Sequence, residues 1–316
     1  MKKILDKRGM TEADWQAYRE KQTGIGGSDC SIIMGLNPYK SAFMLWLEMT
    51  GQAERPKLDS QYVEWGNLLE PVIRDKFRAE TGFKVSQCNF VLAHQDWDWM
   101  VANVDGFVVD PNRKGRGVLE IKTANERAKK DWDNGVPNHY MLQVQHYLAV
   151  TELDYAYIAV LIGGNDFRYY FVERDDYIID SIISAERTFV EVNLAAKIPP
   201  KIGSSQAESD WLNFTYPEAS EVEATINDYY EELAAEYHFL SSEIKEKKTR
   251  MDEIKNTIQL YAAENGSLRG EKLRIGLPSI TKITFDSKAF QEDYPDLYDQ
   301  YKRKVSTYRG FNIKFL

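Results

Sequence analysis

Apolar positions recur at helical steps in several stretches of the chain. Over residues 64–81, Trp65, Leu68, Leu69, Val72, Ile73 and Phe77 return every three or four residues, which predicts an amphipathic helix. Shorter helices are predicted over 10–21, where Thr11 and Asp14 stand at capping-box spacing, over 30–34, where Ser28 or Asp29 supplies the cap, and over 41–50. Strands are expected at 83–85 and 89–92, as a strand–turn–strand over 100–109, and at 118–123 after a loop at 110–117. A helix over 139–150 carries Tyr140, Gln143, Val144 and Tyr147 on one face. The hairpin 155–162 and 167–172 turns at Gly163-Gly164-Asn165, and a closing helix spans 175–196.

The pattern changes after Pro199-Pro200. Residues 201–220 are polar and proline-bounded, so they read as a linker between a core at 1–200 and a separate C-terminal part. Across 221–265 a heptad seam runs through Ile226, Leu233, Leu240, Lys247, Ile254 and Tyr261, with Tyr230, Tyr237, Ile244, Met251 and Ile258 in the second register. Lys247 is its single charge, and the helix is expected to pack on a partner helix or another subunit. The tail, 266–316, reads as strands at 272–275 and 280–285, a helix over 287–304 and a strand over 308–315.

Composition narrows the class. The 316 residues are 43% hydrophobic and 28% charged, enough for a sizeable core with one appendage. No apolar run reaches the roughly 18 residues of a membrane span, and Met1-Lys2-Lys3 leads into a charged segment with no signal-peptide core. Cys30 and Cys88 cannot build a disulfide framework or a cysteine zinc site, and they suit a reducing cytoplasm. The four histidines show no metal-ligand spacing. The net charge of −9 argues against a general nucleic-acid coat. The tail differs: ten Lys and Arg against six Asp and Glu give 10 − 6 = +4 for residues 266–316, with Tyr298, Tyr301 and Tyr308 interleaved. That balance is compatible with contact to a DNA backbone.

Chemistry concentrates in Val118-Leu119-Glu120-Ile121-Lys122-Thr123. Alternation along a strand puts Glu120 and Lys122 on one face. Asp105 lies fifteen residues earlier, before a turn glycine, completing D…E-x-K. Two carboxylates suit a hard divalent cation, and a lysine beside them can orient water or balance charge at a phosphate. Glu70 on the preceding helix offers a third carboxylate, and Gln143 on the following helix an amide. Each alone is an ordinary surface residue; their order carries the signal.

The segments Gly24-Ile25-Gly26-Gly27-Ser28-Asp29, Trp65-Gly66-Asn67-Leu68-Leu69-Glu70-Pro71, Asn103-Val104-Asp105-Gly106, Leu119-Glu120-Ile121-Lys122-Thr123 and Tyr140-Met141-Leu142-Gln143-Val144-Gln145-His146-Tyr147 resemble the YqaJ family. These are phage recombination exonucleases similar to lambda exonuclease, within the PD-(D/E)xK superfamily, and the resemblance covers about residues 10–195. It implies an α/β restriction-endonuclease-like core, a central mixed sheet flanked by helices, to which this chain adds a long C-terminal helix and a small α+β tail. The implied activity is Mg²⁺-dependent digestion of the 5′ strand from ends of double-stranded DNA, with Mn²⁺ substituting and one or two ions per site. Ring-shaped homotrimers, a single-strand annealing partner, a phage or prophage origin and a cytoplasmic setting are implied with it. By resemblance, Asp105, Glu120 and the Ile121 carbonyl bind metal, Lys122 positions or activates water, and Glu70 serves a second metal. Gln143 holds the water or phosphate region with Tyr140 nearby. Ser28 meets the 5′ end, and the pocket's basic residue is Arg19 counted from Trp15 or Lys21 counted back from Ser28. A phage or defence-type endonuclease using the same D…E-x-K group is the competing function. A Cas4-like nuclease fits less well, since two cysteines cannot supply four cluster ligands.

Overall fold

A computed structural model describes residues 1–21, 24–54, 61–301, 311 and 313. Contacts divide the chain into two units, Met1–Asp210 and Trp211–Leu316.

In the first unit, β1 (Lys2–Asp6) leads to α1 (Glu12–Lys21), α2 (Gly27–Ile33), α3 (Ala42–Met49) and α4 (Gln61–Thr81). Strands β2 (Lys84–Gln87), β3 (Phe90–Ala93), β4 (Val101–Ala102), β5 (Gly106–Val109) and β6 (Gly117–Ala124) come next. Then come α5 (Lys129–Trp132), α6 (Asn138–Thr151), β7 (Tyr155–Ile162), β8 (Asp166–Glu173) and α7 (Asp176–Thr188), which continues as a π-helical stretch, Phe189–Ala195. The main sheet has the order β2-β5-β6-β7-β8, with β1-β3-β4 as a second, smaller sheet. β6 and β7 run parallel and the other main-sheet pairs antiparallel, so this is a mixed sheet. A parallel pair needs a crossover, and α5 and α6 lie in that connection.

Alternation along β6 and β7 sorts the two faces. Val118, Ala156, Ile158, Val160 and Ile162 enter a core with Val144 and Leu148 of α6 and Ile179 and Ile182 of α7. Leu119, Ile121, Tyr155, Tyr157 and Ala159 enter another with Ile73 and Phe77 of α4. Helices thus cover both faces of a central mixed sheet, as an α/β restriction-endonuclease-like core requires.

Thr11 Oγ1 accepts from the Asp14 amide at 3.1 Å and Asp14 accepts from the Thr11 amide at 3.0 Å, a reciprocal cap on α1. The cap of α2 is neither Ser28 nor Asp29. Gly26 holds that position, and Asp29, three residues on, accepts from the Gly26 amide at 3.0 Å. In α4 the predicted stripe splits: Ile73 and Phe77 are buried, whereas Trp65, Leu68 and Val72 are exposed. The sheet takes only the C-terminal part of that face. Within 201–220 the chain forms α8 (Gln206–Thr215). Glu208 there is buried and accepts from Ser41 Oγ, Gly203 N and Ser205 N at 2.6, 2.7 and 2.9 Å.

The second unit holds α9 (Asp228–Ala262), a hairpin of β9 (Ser267–Arg269) and β10 (Arg274–Gly276), α10 (Ser287–Asp293) and α11 (Pro295–Tyr301). α9 starts later than the seam suggested, because the Asn227 side chain accepts from the Tyr230 amide and caps it there. Residues 280–285 form no strand; the β-branched run finds no ladder partner among the described residues. The helix expected over 287–304 breaks between α10 and α11, where Pro295 cannot continue it. The strand expected over 308–315 falls largely outside the described residues.

Candidate active site

β5 and β6 bring the acids together. Gly106 pairs with Leu119, which sets Asp105 at the start of β5 beside the middle of β6. Gly106 is needed for this approach, since a Cβ there would stand 2.8 Å from the Ser86 carbonyl of β2. Asp105 Oδ2 accepts from the Ile121 amide at 2.7 Å. A strand residue directs its N–H and C=O to the same edge, so the Ile121 carbonyl leaves β6 on the Asp105 side.

Glu120 and Lys122 project from β6 on the face covered by α6. Their charged atoms are 2.6 Å apart, and Glu120 is 3% exposed. Gln143 of α6 donates its amide to Glu120 Oε1 at 2.8 Å and to the Tyr147 hydroxyl at 2.9 Å. The other oxygen, Glu120 Oε2, is buried without a hydrogen-bond partner. Lys122 Nζ lies 4.9 Å from the centre of the Tyr140 ring, which stacks on Trp132.

Glu70 comes from α4, which covers the opposite face. It pairs with Arg74 one turn along the helix, and the Arg74 guanidinium also reaches the Asp105 carbonyl at 3.5 Å. The start of β5 at Asp105 is therefore where groups from the two faces meet. Ser28 is exposed in the first turn of α2. Its neighbour Gly27 packs so tightly on α6 that a Cβ would stand 2.4 Å from the Tyr147 ring and 3.0 Å from Gln143 Cγ. Arg19 is exposed on α1, and the side chain of Lys21 lies outside the described part of the structure. Among the described residues, no hydrogen bond joins Ser28 to the Asp105–Glu120–Lys122 group.

Burial shifts these groups. Burial, then the charge of Glu120, pushes the Asp105 carboxyl up to about 8. Burial, then the charge of Asp105, raises Glu70 against the pull of Arg74. Burial alone would depress Lys122, but Glu120 and Asp105 outweigh it and hold the ammonium above its ordinary range. Lys122 thus stays cationic. Oxygen donors that repel one another, one of them a buried carboxylate oxygen with no partner, fit a hard divalent cation.

A second cluster lies nearby. Cys30, His146 and Glu186 are buried, with possible ligand atoms within 4.8 Å of one another. Yet His146 Nδ1 meets Glu186 Oε1 at 2.8 Å and Nε2 meets the Val101 carbonyl at 2.8 Å. Both ring nitrogens are thus engaged by protein groups, and neither is left free for a metal in this arrangement. Burial would lower its pKa, but Glu186 and the Val101 carbonyl raise it. The cluster is a buried hydrogen-bonded pair that ties α6 to α7 and β4.

Two contributors went unassigned in the sequence. Tyr147 stands one turn after Gln143 and fixes its amide; Arg74 stands one turn after Glu70. The i, i+4 spacing was the available signal for both.

Residues 14–154 match the model of the YqaJ-like viral recombinase domain. Over 311 residues the chain is 34% identical to the YqaJ protein of Bacillus subtilis (strain 168), covering 96% of this chain and 95% of that protein. The chain belongs to the YqaJ family. From Asp105 to Gln143 the site lies within the matched region, as do Glu70 and Arg74. This YqaJ-family chain is also 27% identical over 160 residues to protein D345L of African swine fever virus, covering 43% of this chain and 45% of that protein. Among solved structures it is similar to an alkaline exonuclease, LHK-Exo, from Laribacter hongkongensis, with TM-score 0.48 and 20% identity over 58% of this chain and 93% of that one. No helix among the described residues is long and apolar enough to cross a membrane.

Proposed function

We propose that this chain is a metal-dependent exonuclease that digests the 5′ strand of linear double-stranded DNA, exposing 3′ single strands for recombination by annealing. The observation that carries this reading is the buried, unpartnered Glu120 Oε2 beside Asp105 and the cationic Lys122. Asp105, Glu120 and the Ile121 carbonyl would hold Mg²⁺, or Mn²⁺ in its place. When bound, such an ion polarises the scissile phosphate and lowers the pKa of the attacking water.

The chain's own residues do the rest. Lys122, kept as an ammonium, donates to the water or to a phosphate oxygen and balances charge as it develops. Gln143, fixed by Tyr147, holds the Glu120 carboxylate in one orientation. The stacked Tyr140 supports Lys122 from below. Ser28, next to Gly27 of the α2 turn that packs on Gln143, would meet the 5′ end, with Arg19 or Lys21 as the phosphate's basic partner. A homo-oligomer and a single-strand annealing partner belong to the same proposal, supported by the exposed apolar seam of α9.

The test is digestion of end-labelled linear duplex carrying 5′-phosphate or 5′-hydroxyl ends, beside closed circular duplex, with Mg²⁺ or EDTA. Mg²⁺-dependent release from the 5′ end, faster with phosphate, is expected. Cutting of closed circles would put the endonuclease in its place, and digestion in EDTA would remove the metal from the mechanism.

A further inference from the structure

Arg74 takes no part in the proposed chemistry, yet it lies at the site's edge. Its guanidinium is bound to Glu70, reaches the Asp105 carbonyl at 3.5 Å, and is only 13% exposed. Its Nε is buried with no hydrogen-bond partner. A solvated i, i+4 pair on a helix surface leaves its donors to water; this one has been drawn under the acids instead. With a metal bound, the ionised carboxylates are Glu70, Asp105 and Glu120, against three cations, Arg74, Lys122 and Lys7, whose charge also reaches Glu70. The sum is −3 + 3 = 0. One divalent ion brings it to +2, and a second would bring it to +4 in a partly buried setting, where like charges repel strongly.

We propose that Arg74 is a built-in counter-cation: it claims Glu70, so that the DNA-free protein binds one divalent ion on Asp105 and Glu120 rather than two. Glu70 is then a masked ligand, available to a second ion only when the guanidinium is removed. The proposal rests on the metal-dependent nuclease reading of the same site. Arg74 acts through Glu70 and is a positioning residue.

The experiment is a titration of the full-length, DNA-free protein with Mn²⁺ alone, counting bound ions by electron paramagnetic resonance and calorimetry. The wild type is expected to bind one ion per chain. Arg74→Met is expected to bind two, and Arg74→Met with Glu70→Gln one again. Arg74→Lys, which keeps the charge, is expected to stay at one. Arg74→Gln, which keeps a donor for Glu70 and loses the charge, is the second variant if Arg74→Met does not fold, and it is expected to bind two. Two ions on the wild type, or one on a folded variant lacking the charge, overturns the role of Arg74 and leaves the nuclease reading intact. No ion on the wild type, with Asp105→Asn indistinguishable from it, overturns both.

Discussion

The two units treat charge and apolar surface in opposite ways. In Met1–Asp210, acids are taken inside: Glu120, Glu186 and Glu208 are buried, and each has a placed partner in Lys122 and Gln143, in His146, or in Ser41 and two backbone amides. In Trp211–Leu316, apolar side chains are left outside. Along α9, Leu233, Tyr237, Leu240, Ile244, Met251 and Ile254 are exposed, and Ala262 is the helix's one buried residue. Burying a charge demands partners in fixed geometry, which is how the first unit holds a reactive constellation. An exposed apolar seam at heptad spacing demands a partner surface instead. One unit holds the candidate site; the other leaves an apolar seam uncovered.

That contrast breaks most visibly at Lys122. Lys122→Met is expected to reduce kcat roughly 10²- to 10⁴-fold while duplex binding survives. Gln143→Ala, which frees Glu120 to rotate, is expected to lower activity or metal affinity by about 10- to 100-fold. Single-turnover cleavage with a parallel binding assay reads both. Full cleavage by Lys122→Met would remove the chemistry from β6.

Next in size is the buried pair behind the site. Removing His146 leaves the buried Glu186 without its partner, so His146→Ala is expected to cost about 3–5 kcal/mol in urea unfolding. The pair also predicts a pH dependence. The folded-state pKa of His146 is raised from its ordinary 6.5, so its contribution is fully present below 6.5 and is lost as pH rises through the raised value. Glu186, raised by burial, has the same sign from a lower starting point. Asp105, raised to about 8 without metal, adds a fall of the same sign and must be separated. In an Asp105→Asn background with EDTA, stability should therefore drop as pH rises above 6.5, and adding His146→Gln should flatten the drop. Equal slopes with and without His146→Gln would show that the imidazolium contributes nothing.

The same division separates the features legible in the sequence from those hidden in it. Val118–Thr123 was legible because alternation assigns Glu120 and Lys122 to one face, and the two meet there at 2.6 Å. Tyr155–Ile162 was legible because a run of eight apolar residues can only be a covered strand or a buried helix, and the turn at Gly163-Gly164 decides between them. Arg74 was hidden, because an arginine four residues after a glutamate looks the same on a solvated helix as under a site; only burial separates the cases. Cys30, His146 and Glu186 come from three distant helices and leave no spacing signature. The helix α4 was legible, but the exposure of its first part was not, because Trp65, Leu68 and Val72 keep helical period whether or not the sheet covers them. Ile280 to Phe285 is rich in β-branched residues, but a strand is made by its neighbour's hydrogen bonds, which its own sequence does not contain.

The smallest expected effect is the sharpest test of what α9 is for. Ile158→Ala, in the fully buried middle of β7, should cost about 2–5 kcal/mol wherever it is measured. Ile244→Ala removes the same atoms from a side chain 66% exposed, and in a lone chain it should shift stability by no more than about 0.5 kcal/mol. If the seam is buried between copies, the same substitution lowers the mass seen by light scattering and makes the melting temperature depend on protein concentration. Lys247, exposed in the seam, then opposes that association, and Lys247→Leu should strengthen it. An Ile244→Ala protein with unchanged mass and unchanged melting at every concentration would mean that the seam does not hold copies of this chain together. The apolar face would then belong to a different partner.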